Sequence, residues 1–372
     1  MNSNFQTTEL HTATFQAGTP FNSIPRLPPK TQVETLRTLK KAISANRAVA
    51  ELRAVGNLIP NQSLLLRSIV LQEAKQSSEI ENIVTTNDKL YQAFGNDMKN
   101  VNHATKEVLS YESALWSGYQ NLQHGGFLNT RLFIDIVQTI RQAEVGIRTM
   151  PGTHIANSIT GKIVYTPPSG ESLIRDLLQN LSEYIYAEDD IDALIKMAVL
   201  HYQFEAIHPF SDGNGRTGRV LNILYLIHAG VLDIPVLYLS RYIIRNKSDY
   251  YEGLRRVTEK GEWEDWILYM LDAVEVMARE SRDKVVRIRS AIETAIDQVK
   301  AELPRIYSKD LVELLFEQPY IRIQSIVAAG IAQRQTAAEY LKELASKDIL
   351  HAVKVGRETL YVNRNLLAIL AE

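Results

Sequence analysis

Apolar residues recur at helical spacing through most of this chain up to about residue 292, and a single strand-like insertion interrupts them before residue 300. Between 148 and 168, Pro151, Gly152, Gly161, Pro167 and Pro168 surround the β-favouring Ile155, Ile159, Ile163, Val164 and Tyr165, the pattern of one hairpin. Helix stacked on helix with one β-hairpin is therefore the expected body. Helices are predicted over 33–55, about 61–82, 104–122 and 129–143, from Leu173 onward, through 191–206, after Gly213, across 248–259 and through 263–292. Thr85, Thr86, Asn87 and Asp88 offer N-caps for a further helix after Asn82. Residues 1–32 contain Pro20, Pro25, Pro28 and Pro29 without sustained periodicity and read as an extended arm.

Beyond Pro304 the elements shorten. Helical patterns at 308–317, 323–329 and 333–346 precede β-favouring runs at 349–355 and 359–362 around Gly356. Helix, helix-turn-helix, then hairpin is the order of a winged helix. The expected fold class is mainly α, with a β-hairpin flap and a C-terminal winged helix-turn-helix domain. Its expected divisions are an arm (1–32), an N-terminal helical region (33–122), a core (123–261), a connecting helix (262–302) and the winged helix (303–372). Gln333, Arg334, Gln335 and Thr336 would open the recognition helix of a DNA reader. From residue 303 onward, however, nine Lys and Arg face eight Asp and Glu, a net charge of +1 without the usual basic footprint. DNA binding and protein contact both stay open for this domain.

With no cysteine, the chain is barred from disulfides, thiolate catalysis and Cys-ligated zinc. Its formal charge of −2 gives no global attraction to a polyanion, so any phosphate chemistry must be local. The first ten residues lack a basic start and an apolar run, so no secretory signal is expected and a cytoplasmic location fits. The apolar stretch 220–239 is broken by Asn222, His228, Asp233 and Pro235 and reads as core rather than as a membrane span.

The chemistry concentrates in His208-Pro209-Phe210-Ser211-Asp212-Gly213-Asn214-Gly215-Arg216-Thr217-Gly218-Arg219. Asp-Gly and Asn-Gly are common turn formers, so a plain connection between helices is the bland reading. Three glycine-loop patterns fit by accident and fail. The dinucleotide fingerprint needs a preceding strand, whereas 191–206 is helical; a Walker loop needs Lys and Ser/Thr where Arg219 and Val220 stand; an EF-hand needs oxygen ligands where Arg216 and Ile223 stand. What remains is a base, a carboxylate, backbone-exposing glycines and two arginines entering a helix. Helix N-termini bind anions, and Gly lets phosphate approach the main chain. Arginines in a first turn face the positive end of the dipole at a cost of roughly 0.3–1 kcal/mol each, which a bound polyanion reverses. Three residues apart, Arg216 and Arg219 can share a face and converge on one polyanion.

This segment fills every specified position of the motif His-Pro-Phe-x-Asp/Glu-Gly-Asn-Gly-Arg-x-x-Arg and closely resembles the Fic family. The resemblance extends over about 30–300, through Tyr165-Thr166-Pro167-Pro168 and Tyr250-Tyr251 to Trp266. It implies a Fic/Doc-like helical bundle that moves AMP from ATP to a Tyr, Ser or Thr hydroxyl of a target protein. His208 would be the base and Asp212 would hold Mg²⁺. Gly213, Asn214, Gly215, Arg216, Thr217, Gly218 and Arg219 would embrace the phosphates, with Tyr251 flanking the adenine and Tyr250 nearby. Some relatives carry an Asn where this chain has Thr258. The hairpin, with Ile163, Val164 and Tyr165, would be a flap (154–168) that aligns the target.

Upstream, Ser77-Ser78-Glu79-Ile80-Glu81-Asn82 matches the inhibitory pattern Ser/Thr-x-x-x-Glu-Gly/Asn that accompanies many Fic domains. Ser77, Glu81 and Asn82 would then form an inhibitory helix end whose Glu81 pairs with Arg219 in place of the γ-phosphate. Ser78-x-x-Glu81 also reads as a capping box at a helix start. The resemblance further implies a homodimer and self-modification. Removal of AMP, another phosphodiester or phosphoryl transfer, and nucleotide sensing by a winged-helix regulator stand as alternatives.

Overall fold

The computed structural model describes residues 15–56, 62–93, 101–156, 160–355 and 358–371. Its centre is a pair of helices, α7 (Ala193–Ile207) and α8 (Asn214–His228). Every residue of α7 except Ala193 and Glu205 is buried, and so is all of α8 apart from Gly215, Ile227 and His228. Helices buried on all sides leave no face to water and occupy the middle of a bundle. The run 220–239 accordingly ends as core: α8 carries its first half, and Leu232, Ile234 and Val236 to Leu239 are buried beyond it. Among the described residues no helix is long and apolar enough to cross a membrane.

Around this pair lie α2 (Gln62–Ile80), α4 (His103–Gln123), α5 (Thr130–Arg141) and α6 (Glu171–Ile185). Asn102 caps α4 and Asn129 caps α5, each through a side-chain oxygen that accepts a first-turn amide. α1 (Leu36–Gly56) lies along α11 (Trp263–Glu302), with the small residues Ala42, Ala45 and Ala48 on its buried side. At 40 residues α11 runs about 60 Å, ten residues further than its periodicity indicates. The remaining elements of the body are α3 (Asn87–Ala93), α9 (Ser240–Arg245), α10 (Lys247–Lys260) and the hairpin β1 (Ile155–Ala156) with β2 (Ile163–Tyr165).

The described part of the arm is laid on the body. The Phe21 N–H donates to the Thr166 carbonyl, Asn180 brackets Leu27, and Phe15 and Phe21 pack on Tyr165; residues 1–14 lie outside the described residues.

The C-terminal elements are α12 (Lys309–Leu314), β3 (Tyr320–Ile321), α13 (Ile323–Ala328), α14 (Arg334–Ser346), β4 (His351–Val355), β5 (Glu358–Val362) and α15 (Arg364–Ala371). They form an antiparallel sheet of order β3-β5-β4; Gly356 lies outside the described residues. This unit grips the N-terminal helices. Ser68 of α2 donates to the Glu317 carbonyl at 2.6 Å, Arg322 to that of Gln92 at 2.7 Å, and Tyr320 stacks on Tyr91. Three elements were not anticipated: α9 and α15 are short, and β3 is two residues whose strand character comes from pairing with β5.

Candidate active site

The loop between α7 and α8 is held by its own residues. His208 ends α7 in the left-handed region (φ 49°, ψ 60°), its N–H donating to the Phe204 carbonyl at 3.0 Å. Phe210 is buried beside the Phe204 ring. Asn214 brackets it: Oδ1 accepts from the Phe210 N–H and Nδ2 donates to the Phe210 carbonyl, both at 2.8 Å. The Asn214 amide thus closes the loop and has both its polar atoms engaged. Gly213 opens α8 at φ 86°, and a Cβ there would stand 3.0 Å from Val137 Cγ2. Gly213→Ala is expected to lower folding stability by about 1–2 kcal/mol, the cost of a left-handed alanine. A denaturant midpoint equal to that of the parent would refute this.

Two sides of α8 meet two different helices, so its arginines diverge. Arg219, 2 % exposed, turns to the end of α2: Nε donates to Ser77 Oγ at 2.8 Å, and Nη2 to the Ser77 carbonyl at 2.8 Å and to Glu81 Oε1 at 2.9 Å. Burial alone would lower its pKa, but Glu81 and the neighbouring Tyr250, Tyr111 and Glu205 lift it above the ordinary value. Arg216 turns to α4, where Glu107 accepts from Nη1, while Asp212 Oδ1 lies 3.6 Å from Nη2. Arg141 of α5 closes a ring of charge, 2.7 Å from Asp212 Oδ2 and 3.7 Å from Glu107 Oε1. Asp212 also accepts from the Gly213 N–H, with its side chain 56 % exposed. Thr217 is buried, and a Cβ on Gly218 would meet Glu205 Oε1.

The segment 77–82 finishes a helix rather than starting one. α2 ends at Ile80; the Ser78 carbonyl accepts from Glu81 and Ile83, and Asn82 sits at φ 61°. A left-handed residue after a helix is the usual place for Gly or Asn, which is the physical content of the last position of the pattern. Lys247 of α10 donates to the Ile80 carbonyl at 2.7 Å, and buried Glu73 accepts from Tyr111 and Ser240, so α2 is fastened on both sides of Ser77. Glu81 reaches over the first turn of α8, where a Cβ on Gly215 would collide with its Oε1.

His208 is pushed down to about 4, chiefly by burial and then by Arg148; the Glu205 main chain, Glu81 and Asp212 act the other way. At neutral pH it is an uncharged imidazole. On the same face of α7, Glu205 is raised to about 7 by burial, with Arg219 opposing and Glu81 reinforcing the shift, and its Oε1 is buried without a partner. His201, lowered to about 3 mainly by burial, lies 2.9 Å from the Tyr250 hydroxyl. Tyr250 is therefore a buried partner of His201, whereas Tyr251 is 45 % exposed beside it. The Thr258 hydroxyl is engaged within the fold: it accepts from Tyr202 and donates to the Leu254 carbonyl.

In the flap, Ile155 pairs with Tyr165 and Ala156 with Ile163; Ile159, and with it the stretch 157–159, lies outside the described residues. Val164 points outward, and the Tyr165 hydroxyl donates to the Ala206 carbonyl at 2.7 Å, which pins the flap to the end of α7. Sequence reasoning missed Arg148, Glu107, Arg141 and Glu205. Of these only Glu205 carries a local signal, the one carboxylate of α7, three residues before His208.

Three family models match the chain: "Fic/DOC family N-terminal" over residues 39–120, "Fic/DOC family" over 126–226 and "Protein adenylyltransferase SoFic-like, C-terminal domain" over 291–366. A probable protein adenylyltransferase of Aquifex aeolicus is 29% identical over 130 residues, 35% of this chain and 34% of the relative. A protein adenylyltransferase of Caenorhabditis elegans is 28% identical over 137 residues, 36% of this chain and 24% of the relative. The match thus spans about a third or less of these curated relatives. A crystal structure of a Fic family protein from Desulfovibrio desulfuricans, 18% identical, superposes with a TM-score of 0.56 over 90% of this chain and 98% of that one.

Proposed function

We propose, for a chain that carries Fic/DOC family domains from its N-terminal helices through α8, that it transfers AMP from ATP to a hydroxyl side chain of a protein and is held back by Glu81. One observation carries this reading. A neutral imidazole, a glycine-opened helix N-terminus and a buried arginine lie within one loop and the first turns of the helix it opens, and the arginine is occupied by a carboxylate.

ATP would lie along the N-terminus of α8, whose first-turn amides have no intrahelical partner and meet the α-phosphate. His208 takes the proton as the hydroxyl oxygen attacks the α-phosphorus, and the bond to pyrophosphate breaks in line. Arg219 would hold the outgoing phosphates once Glu81 leaves it. Arg216, sealed against Glu107, serves instead to fix Asp212 and the loop. Tyr251, half exposed, is the ring left to flank the adenine. The target would pair with the flap as an added strand beside Val164.

Mg²⁺ fits this donor set. Asp212 is one accessible hard-oxygen carboxylate beside the phosphate site, and Mg²⁺ commonly takes one or two carboxylates, completing its shell with phosphate oxygens and waters. Among the described residues no cluster of three or more His, Asp or Glu could hold a metal without such help. When bound, the ion would neutralise phosphate charge. Asp212 would exchange its Arg141 contact for that role.

The order of the C-terminal elements supports a winged helix over 303–371, and its grip on α2 suits a protein-contact role. Homodimerisation and self-modification belong to the same reading.

Intact-mass measurement after incubation with ATP and Mg²⁺ tests the reaction. Gain of an AMP mass on the chain or a lysate protein is expected; gain of a phosphate mass would indicate kinase chemistry, and loss of AMP from a modified protein would favour hydrolytic removal of AMP. The base must be unprotonated to act, so a lowered pKa extends activity toward acid. The transfer rate should hold from neutral pH to roughly pH 5 and fall only toward about 4. A half-maximal rate near 6.5, the ordinary histidine value, would contradict the burial of His208.

A further inference from the structure

One buried side chain joins both ends of the flap to the catalytic loop. Arg148 stands seven residues before β1, and its N–H donates to the Pro209 carbonyl at 3.0 Å. Its Nε donates to the His208 carbonyl at 2.8 Å, and Nη2 donates to the Ile207 carbonyl at 3.2 Å and to that of Pro168. Ile207, His208 and Pro209 are successive residues where α7 stops, and Pro168 lies three residues beyond β2. Arg148 is 8 % exposed, and no ion pair to it is found among the described residues.

This arrangement does something a plain helix cap would not. Carbonyls at the end of a helix lack intrahelical partners, and a cation there is favoured by the dipole. A lysine or a water donates from a single atom without a fixed fork. The fork of an arginine satisfies several in a fixed geometry, and here it reaches from the base to the far side of the flap. Among the described residues, the hydrogen-bond partners of its side chain are main-chain oxygens.

We propose that Arg148 is a positioning residue that registers the flap against His208, so that a hydroxyl presented on the flap arrives at the imidazole. This rests on the reading of His208 as the base and of the hairpin as the target-aligning flap. His208 is left-handed, a conformation that costs a non-glycine residue energy unless its surroundings impose it. The bonds from Arg148 to the carbonyls on either side of the His208 α-carbon impose it. The positive charge has a second consequence. Facing His208 are Arg148 from the flap base, the Glu205 main chain of α7, Glu81 from the end of α2 and Asp212 from the loop. Of these charged groups Arg148 alone opposes protonation of the ring.

The test uses the full chain with Glu81→Gly as parent and follows two readouts: α-phosphate label from ATP incorporated into lysate protein across pH 4–8, and ATP affinity by titration. Arg148→Gln is expected to lower incorporation about tenfold or more, as displaced reacting groups do, with ATP affinity within about twofold because α8 and Arg219 are untouched. Its acidic limb should move up, while staying below the ordinary histidine value of about 6.5 because the burial of His208, the larger cause of its lowered pKa, remains. Arg148→Lys keeps the charge without the fork, so its limb should stay with the parent while its rate falls.

Parent-like rate and limb in Arg148→Gln would overturn the proposal. So would equal losses of transfer and ATP affinity, the outcome of a merely structural role. If Arg148→Gln does not fold, the same readouts on Arg148→Lys decide: a reduced rate with parent-like affinity and limb supports the proposal, and a parent-like rate overturns it. A parent without incorporation would instead condemn the reading of the site itself.

Discussion

Glu81→Gly is expected to raise AMP transfer at least about tenfold. Arg219 makes three bonds to the end of α2, and only one of them is to Glu81. A hydrogen bond between charged groups is worth about 1.5–3 kcal/mol. The carboxylate is about a third exposed, so solvent screening favours the lower end of that range, and 1.4 kcal/mol is roughly a factor of ten. Glycine removes the anion that stands where phosphate would enter, while the Ser77 bonds keep the guanidinium aimed. Asn82, already left-handed, still ends the helix, so the fold has no reason to change. Label incorporation under identical ATP and Mg²⁺ measures the effect; unchanged or reduced transfer would contradict the inhibitory role.

His208→Ala in the same background should lower transfer by about 10² to 10⁴, the usual contribution of a general base. The imidazole is neutral at pH 7 and so able to accept a proton. ATP binding should survive, because the α8 N-terminus and Arg219 do not depend on it. Melting temperature is the control, since alanine must adopt a left-handed conformation there. A folded His208→Ala chain transferring AMP within a few-fold of its parent would show that another group takes the proton.

The helical body was legible because periodicity is a local property, and the loop because its special conformations demand special residues. Gly213 is glycine at φ 86°, and Asn82 carries the left-handed turn that ends α2. What stayed hidden was every choice of partner. Arg216 and Arg219 sit in one motif, yet one is claimed by Glu107 and the other by Ser77 and Glu81, each more than a hundred residues away in sequence. Residue types cannot announce such pairings. Arg148 looks like any surface arginine until Pro168 and His208 are brought to it. The capping-box reading of Ser78 and Glu81 failed for a related reason: helix starts and stops draw on overlapping polar residues, and only the observed end of α2 tells them apart. Likewise β3 is two residues long and takes its register from β5, some forty positions downstream.

The central claim is that the α-phosphate is the group transferred, on a site assembled but obstructed by Glu81. The most direct measurement supplies the Glu81→Gly chain with Mg²⁺ and ATP labelled either at the α- or at the γ-phosphorus, and counts label on protein. The account predicts incorporation from the α-label only, abolished by adding His208→Ala. Incorporation from the γ-label, or α-labelling that persists without His208, would contradict it.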